Sequence, residues 1–492
     1  MFNRHFSQGG FLPISVTHTA ESGIWSRWSQ ASSFRVRNLT SAYPNASSID
    51  KNPHLQEAAS PENDGDLATF ALTIKESYMR ATEVFTPGKL PHITYVDDHL
   101  QARAQALLDA LDTGAAVISL SGPSKSGKTV FIEKNIGKDR LVQVTGAGIT
   151  EANRLWDRVF DIVGTPTSRR KSETSAFEGT IGGKIGGEAG LFVSANGEVS
   201  AEGKWSKSTG EESDLATDYL QLLIRELSGT GLVVFIDDFH YIPKIVQIEL
   251  SNQIKEAIRN GVNFVVASVP YHSDDAIRAN PDLRGRTVKI DFDYWRPEEL
   301  AKIANRGFAA LQTVATPAYV LALASEAAGS PQLMQSLCLT TCFENDTRER
   351  QEPTRHLASD RDAISRVCSR TAATTDYSST VAKMSDGPKT RGQDRKSYLT
   401  RGGDVVDVYP LILRSIALDP PELTQRYPNL QKRIQSLCAK DLPSGSSVTG
   451  ACSHIASIAN ESENRNIIEW DAENDVLDIR DPYLLFYLRW SD

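Results

Sequence analysis

The chain has 492 residues, of which 40% are apolar and 23% charged, and its formal net charge is −9. Such a length suggests roughly two to four domains, each able to bury its own core. The acidic balance excludes a globally basic nucleic-acid coat, so any DNA contact has to come from a local patch. No apolar run reaches the roughly 18 residues that a membrane helix needs, so no membrane contact is expected. The five cysteines (338, 342, 368, 438, 452) are too scattered for a disulfide framework and lack zinc-ligand spacing, which points to a reducing cytoplasm.

Residues 1–80 read as a disordered extension: up to Ser48 there are ten Ser, four Arg and one acid, Glu21. An Arg- and Ser-rich, acid-poor start also has the composition of a transit peptide, and Met79 stands just before the organised region. From about Glu83 the pattern becomes regular. Leu100, Leu107, Leu108 and Leu111 share one helical face. Short apolar runs at 115–120, 141–144, 231–236 and 263–269 suit buried strands, with a further strand at 287–290. Helical patterns lie between them, to about Ile136 and near 150–163. Strands alternating with helices imply an α/β fold with a parallel sheet covered on both faces. Residues 165–212 interrupt this order as a Gly-rich insertion, with a hairpin turn expected at Asn196-Gly197. The expected organisation is an α/β core over 81–296, a helical lid over 297–384, a basic linker over 385–404 and a small domain over 405–492. Ser330-Pro331 marks a helix start in the lid, Ser as N-cap and Pro in the first turn.

The first apolar strand runs into Gly122, Pro123, Ser124, Lys125, Ser126, Gly127, Lys128 and Thr129, with Val130 opening the next helix. Two glycines at this spacing before Lys-Thr let backbone N–H groups curl around phosphate oxygens. Lys128 then supplies a point charge to the terminal phosphates, and Thr129 offers a hydroxyl to Mg²⁺. Asp237 ends another apolar strand, where a Mg²⁺–water shell needs an anion, and Asp238 follows where a water-orienting acid belongs. ATP and Mg²⁺ are therefore the expected ligands. The glycine pattern is not that of a dinucleotide-binding dehydrogenase.

These motifs resemble the AAA+ and STAND classes of P-loop ATPases, including archaeal-type and origin-recognition-like members, over about residues 83–492. The resemblance implies a P-loop sheet, a helical lid and a C-terminal winged helix. By that resemblance Lys128 and Thr129 occupy the Walker A positions, Asp237 the Walker B magnesium acid and Ser268 the sensor 1 position. The segment Asn280–Arg286 looks like the one that carries an arginine finger, so Arg284 or Arg286 would reach the nucleotide of a neighbouring subunit in a homo-oligomer. Two departures stand out: Asp238 replaces the usual Glu, and Gln332 stands where motors often carry a sensor 2 Arg. Both lean towards a slow nucleotide switch of the STAND type that answers to a protein trigger. The other reading is a DNA-binding ATPase, origin-recognition-like or accessory to transposition.

Helices at about 406–417, 423–439 and 444–459, then a hairpin at 467–470 and 476–479, give a winged-helix pattern. Its candidate recognition helix, 448–459, has no Lys or Arg, and its wing carries Glu469, Asp471, Glu473 and Asp475. That composition argues against direct base readout. The linker is different. Lys389, Arg391, Arg395, Lys396 and Arg401 outnumber Asp386 and Asp394 there, which makes it the candidate contact to a phosphate backbone.

Overall fold

The computed structural model describes residues 79–114, 116–165, 218–268, 285–389, 395–463 and 465–491. The expected N-terminal extension up to residue 78, the inserted hairpin from 166 to 212, Arg284 and Arg391 lie outside the described residues.

Five strands form the central sheet: β1 (Val117–Ser121), β2 (Leu141–Thr145), β3 (Val233–Asp237), β4 (Asn263–Ser268) and β5 (Thr287–Asp291). All pair in parallel, in the order β2-β3-β4-β1-β5. Side chains alternate between the two faces, as a period of two requires. Ile118, Leu120, Phe235 and Val265 enter one core, and Val117, Val234, Ile236 and Phe264 enter the other.

Helices cover both faces. On the first lie α1 (Gln101–Thr113) and α2 (Lys128–Ile136), and on the second α3 (Ala152–Val163), α4 (Tyr219–Leu227) and α5 (Lys244–Arg259). In α3, Leu155, Trp156, Val159 and Phe160 form one fully buried stripe, while Arg154 and Asp161 face water. Each of those large side chains contributes about 1.5–3 kcal/mol of burial.

The lid follows as α6 (Pro297–Ala310), α7 (Pro317–Glu326), α8 (Pro331–Glu344) and α9 (Arg361–Ala372), whereas α10 (Ser378–Asp386), expected in the lid up to residue 384, joins the C-terminal core through Tyr377 and Met384. Three of these start on Pro, and Ser330 Oγ caps α8 by accepting from Leu333 N–H. The winged-helix unit contains α11 (Val408–Ile416), α12 (Tyr427–Leu437), α13 (Gly445–Glu463) and the closing α14 (Pro482–Trp490). Its sheet has three strands rather than a hairpin: Thr424–Arg426 pairs with Val476–Ile479, which pairs with Ile468–Asp471. Residues 424–426 were expected in a helix. Pro428 instead fixes the helix start at Tyr427, and Thr424 Oγ1 donates to Asp478 across the sheet at 2.7 Å.

The basic segment is more structured than a linker. Tyr398–Leu399 pairs antiparallel with Val405–Val406. Arg395 donates to the carbonyls of Asp386 and Pro388 and to Asp407 Oδ2, and stacks 4.5 Å from the Tyr409 ring centroid. Its guanidinium is thus spent on the protein, which corrects its reading as a phosphate-backbone contact. Arg401 likewise donates to the Cys438 carbonyl. All five cysteines are buried free thiols, and no described helix is long and apolar enough to cross a membrane.

Candidate nucleotide site

The loop between β1 and α2 sits at the carboxyl ends of the strands, where open α/β sheets bind ligands. Its first glycine is required by contact. A Cβ on Gly122 would lie 2.5 Å from Phe292 Cβ and 2.8 Å from its carbonyl oxygen. Gly127 takes φ +95° as it turns into α2, a conformation that glycine adopts without strain.

Lys128 is half-buried, and its Nζ donates to the carbonyls of Gly122 and Pro123, both at 2.8 Å. Burial pulls its ammonium down to about 8, against the attraction of Asp237 and Asp238. Thr129 Oγ1 donates to Asp237 Oδ2 at 2.7 Å, while Asp237 Oδ1 accepts from Asp238 N–H at 2.9 Å. A hydroxyl and a carboxylate thus meet on the floor of the site, an all-oxygen donor set that suits Mg²⁺. Asp238 has φ +56°, which a short acid tolerates better than a long one, and burial next to Asp237 pushes its carboxyl up to about 6, with Lys128 opposing.

One polar atom of the loop is left over. Ser126 Oγ is buried without a hydrogen-bond partner. An orphaned donor in a loop of inward-turned backbone fits an anion, and phosphate oxygens supply the missing acceptors. Ser268, at the end of β4, is buried and faces the same cavity, and its carbonyl accepts from Gly122 N–H. Val130 and Gln332 also line it.

The cavity has a volume of about 410 Å³, and much of its wall comes from residues that sequence reasoning did not place there. One wall is the segment from Thr86 to Val96. Gln335 of the lid braces that segment: its Oε1 accepts from Thr86 N–H and its Nε2 donates to Thr94 Oγ1. The opposite wall is winged-helix: Arg465, Arg480 and Asp481. Arg480 is buried and paired with Glu469, whereas Arg465 pairs with Asp481 and donates to the Tyr377 hydroxyl. Asp481 caps the closing helix α14. Nothing local tied it to a loop 356 positions away.

Arg286 does not enter this cavity. It is exposed, and its carbonyl accepts from Val117 N–H, at the amino ends of β1 and β5. One length of β1, about 13 Å, separates it from the phosphate loop of its own chain.

Parallel strand order, phosphate loop, lid and winged-helix unit together define an α/β P-loop nucleotide-binding fold. No protein-family model matches the sequence, and no curated protein is similar to it. Among solved structures, the chain is similar to the ORC2 protein of Aeropyrum pernix in ADPNP–ADP complexes, at 12% identity and a TM-score of 0.45. That match covers 84% of this chain and 96% of the other. It is also similar to a Walker-type ATPase of Pyrococcus abyssi (12% identity, TM-score 0.41, 79% and 95% covered). A third is Cdc6p from Pyrobaculum aerophilum (13% identity, TM-score 0.38, 83% and 97% covered). The assignment of the fold rests on the sheet order and the loop geometry, not on these likenesses.

Proposed function

We propose that the chain binds ATP with Mg²⁺ and hydrolyses it slowly, as a nucleotide-controlled switch of the AAA+/STAND type. The observation that carries this reading is the contact of Thr129 with Asp237 beside the half-buried Lys128, in a loop whose Ser126 hydroxyl lacks an acceptor. When the phosphates arrive, Lys128 exchanges two neutral carbonyls for anionic oxygens, which makes stronger hydrogen bonds. Thr129 and Asp237 would hold Mg²⁺, which neutralises charge on the β- and γ-phosphates. Asp238 orients the attacking water and accepts its proton. Its side chain is one methylene shorter than Glu, which favours slow turnover, while its carboxyl, raised to about 6, is basic enough to take a proton at neutral pH. Ser268, at the end of β4 and lining the cavity, would contact the terminal phosphate.

Arg286 can act only in trans. If it contributes to hydrolysis, a neighbouring copy in an oligomer must present it to the γ-phosphate. The reading as a DNA-binding ATPase gains no support from Arg395, and the helix α13 has no Lys or Arg.

The test is steady-state ATP hydrolysis by the full chain, with and without duplex DNA, beside Lys128→Ala. Slow turnover that is lost in Lys128→Ala and ignores DNA supports the switch. Stimulation by DNA promotes the other reading. Activity that survives Lys128→Ala refutes the assigned site.

A further inference from the structure

Lys125, inside the phosphate loop, has φ +61° and sends its side chain away from the loop. Its ammonium lies 4.1 Å from the centroid of the Tyr483 ring and donates to both oxygens of Asp481, at 2.7 and 2.9 Å. Asp481 is 2% exposed. It caps α14 by accepting from Tyr483 N–H, and takes a further bond from the Tyr377 hydroxyl and an ion pair from Arg465. Burial raises its carboxyl, yet Lys125 and Arg465 more than offset this and hold it below the usual carboxylate range. The helix it caps is itself a bridge: Phe486 enters the core shared by the sheet and lid, while Leu484 and Leu485 enter the winged-helix core.

One residue therefore gives its backbone to the phosphate loop and its charge to the winged-helix unit. We propose that Lys125 and Asp481 are positioning residues that couple the phosphate loop to the docking of α14, so that nucleotide binding and winged-helix docking reinforce each other. The proposal rests on the nucleotide reading above and adds the route by which an occupied loop is felt by the C-terminal unit. Withdrawing Lys125 would leave a buried carboxylate with less compensation, so the pair resists separation. A phosphate bound in the cavity would order the same loop, and Lys125 and Asp481 line that cavity too. Because coupling between two equilibria is reciprocal, whatever factor the pair adds to nucleotide affinity, nucleotide must return to docking. Arg465 strengthens the link, since it shares Asp481 and also lines the cavity.

The experiment measures ADP affinity, and hydrogen exchange of residues 482–490 with and without Mg-ADP, on the full chain. Lys125→Gly accepts the positive φ and removes the ammonium, and Lys125→Asn, which also tolerates that φ, separates loss of the charge from the added freedom of a glycine. Asp481→Asn keeps an N-cap acceptor while removing the charge. Lys125→Arg keeps the charge and serves as the rescue. In the wild type, ADP slows exchange of 482–490 by roughly 5-fold or more. In Lys125→Gly and Asp481→Asn that slowing disappears and ADP affinity falls by the same factor, the double variant is no worse than either, and Lys125→Arg restores both. An ADP response of 482–490 that persists in both single variants overturns the proposal. So do single effects that multiply in the double variant, or ADP that binds the wild type without changing exchange there. ADP that binds neither the wild type nor Lys128→Ala refutes the nucleotide reading itself, which separates the two failures.

Discussion

Replacing Arg395 by Ala distinguishes a structural staple from a nucleic-acid contact. The side chain donates to Asp386 O at 2.7 Å, to Asp407 Oδ2 at 2.8 Å and to Pro388 O, and it is 22% exposed. Hydrogen bonds from a charged group contribute about 1.5–3 kcal/mol each, and stacking on Tyr409 adds about 0.5–1 kcal/mol. Water reaches the released carbonyls in the variant, so the three bonds do not sum at full value. A net loss of about 2–4 kcal/mol remains. Lys in the same position keeps the charge but cannot span three acceptors as a planar guanidinium does, and it recovers less than half. The assay is thermal and urea unfolding of the full chain, with the winged-helix transition followed by exchange of α11, whose N-cap is Asp407. Arg395→Ala should lower that transition by several degrees. Unchanged unfolding, together with weaker duplex-DNA binding and a shallower salt dependence, would refute the staple and return the residue to a phosphate-contact role.

Three further outcomes follow from the site. Lys128 titrates near 8 in the free protein, and phosphate raises that value, so binding draws a proton when the amine is neutral. Affinity for metal-free ADP is then full below pH 8 and about 10-fold weaker at pH 9 than at pH 7, whereas Lys128→Arg stays flat over that range. Asp238→Asn keeps a residue that tolerates φ +56° but removes the proton acceptor. Single-turnover hydrolysis should fall by about 100-fold or more with ADP affinity within about 2-fold, and wild-type hydrolysis should fade as pH drops through 6. Gly122→Ala forces a Cβ into Phe292, and ADP titration should show at least about a 10-fold loss of affinity at a stability cost of about 1–3 kcal/mol.

Local pattern made the sheet and the loop legible. β1, β3 and β4 are short runs of Val, Ile and Phe buried on both faces, and such runs announce themselves without any partner. The loop is read from its glycine spacing between a strand and a helix, and Asp237 from its place at a strand end; Thr129 and Asp237 lie within hydrogen-bond distance. Charge patterning misled at Arg395, because five cations in a polar stretch look solvated until carbonyls close around one of them. Residues 424–426 carry no strand signal of their own, since their only pairing is to a strand fifty positions on. The far walls of the cavity were equally unreadable. Gln335, Arg465 and Asp481 reach it by packing between distant segments, and a contact of that kind leaves no mark on either local sequence.

The widest of those contacts has a kinetic meaning. Lys125 and Asp481 are 356 positions apart, and closing a loop of that length is an entropic cost that nearby contacts do not share. The strand pairings of the sheet close shorter loops, the longest from Val117 to Thr287, and the cavity wall waits for segments that meet only after the cores have condensed. Refolding followed by pulsed exchange should therefore show the strands protected first and the cleft maturing last. A chain caught between those stages would already carry its phosphate loop, and would still lack the enclosure that gives the loop its shape.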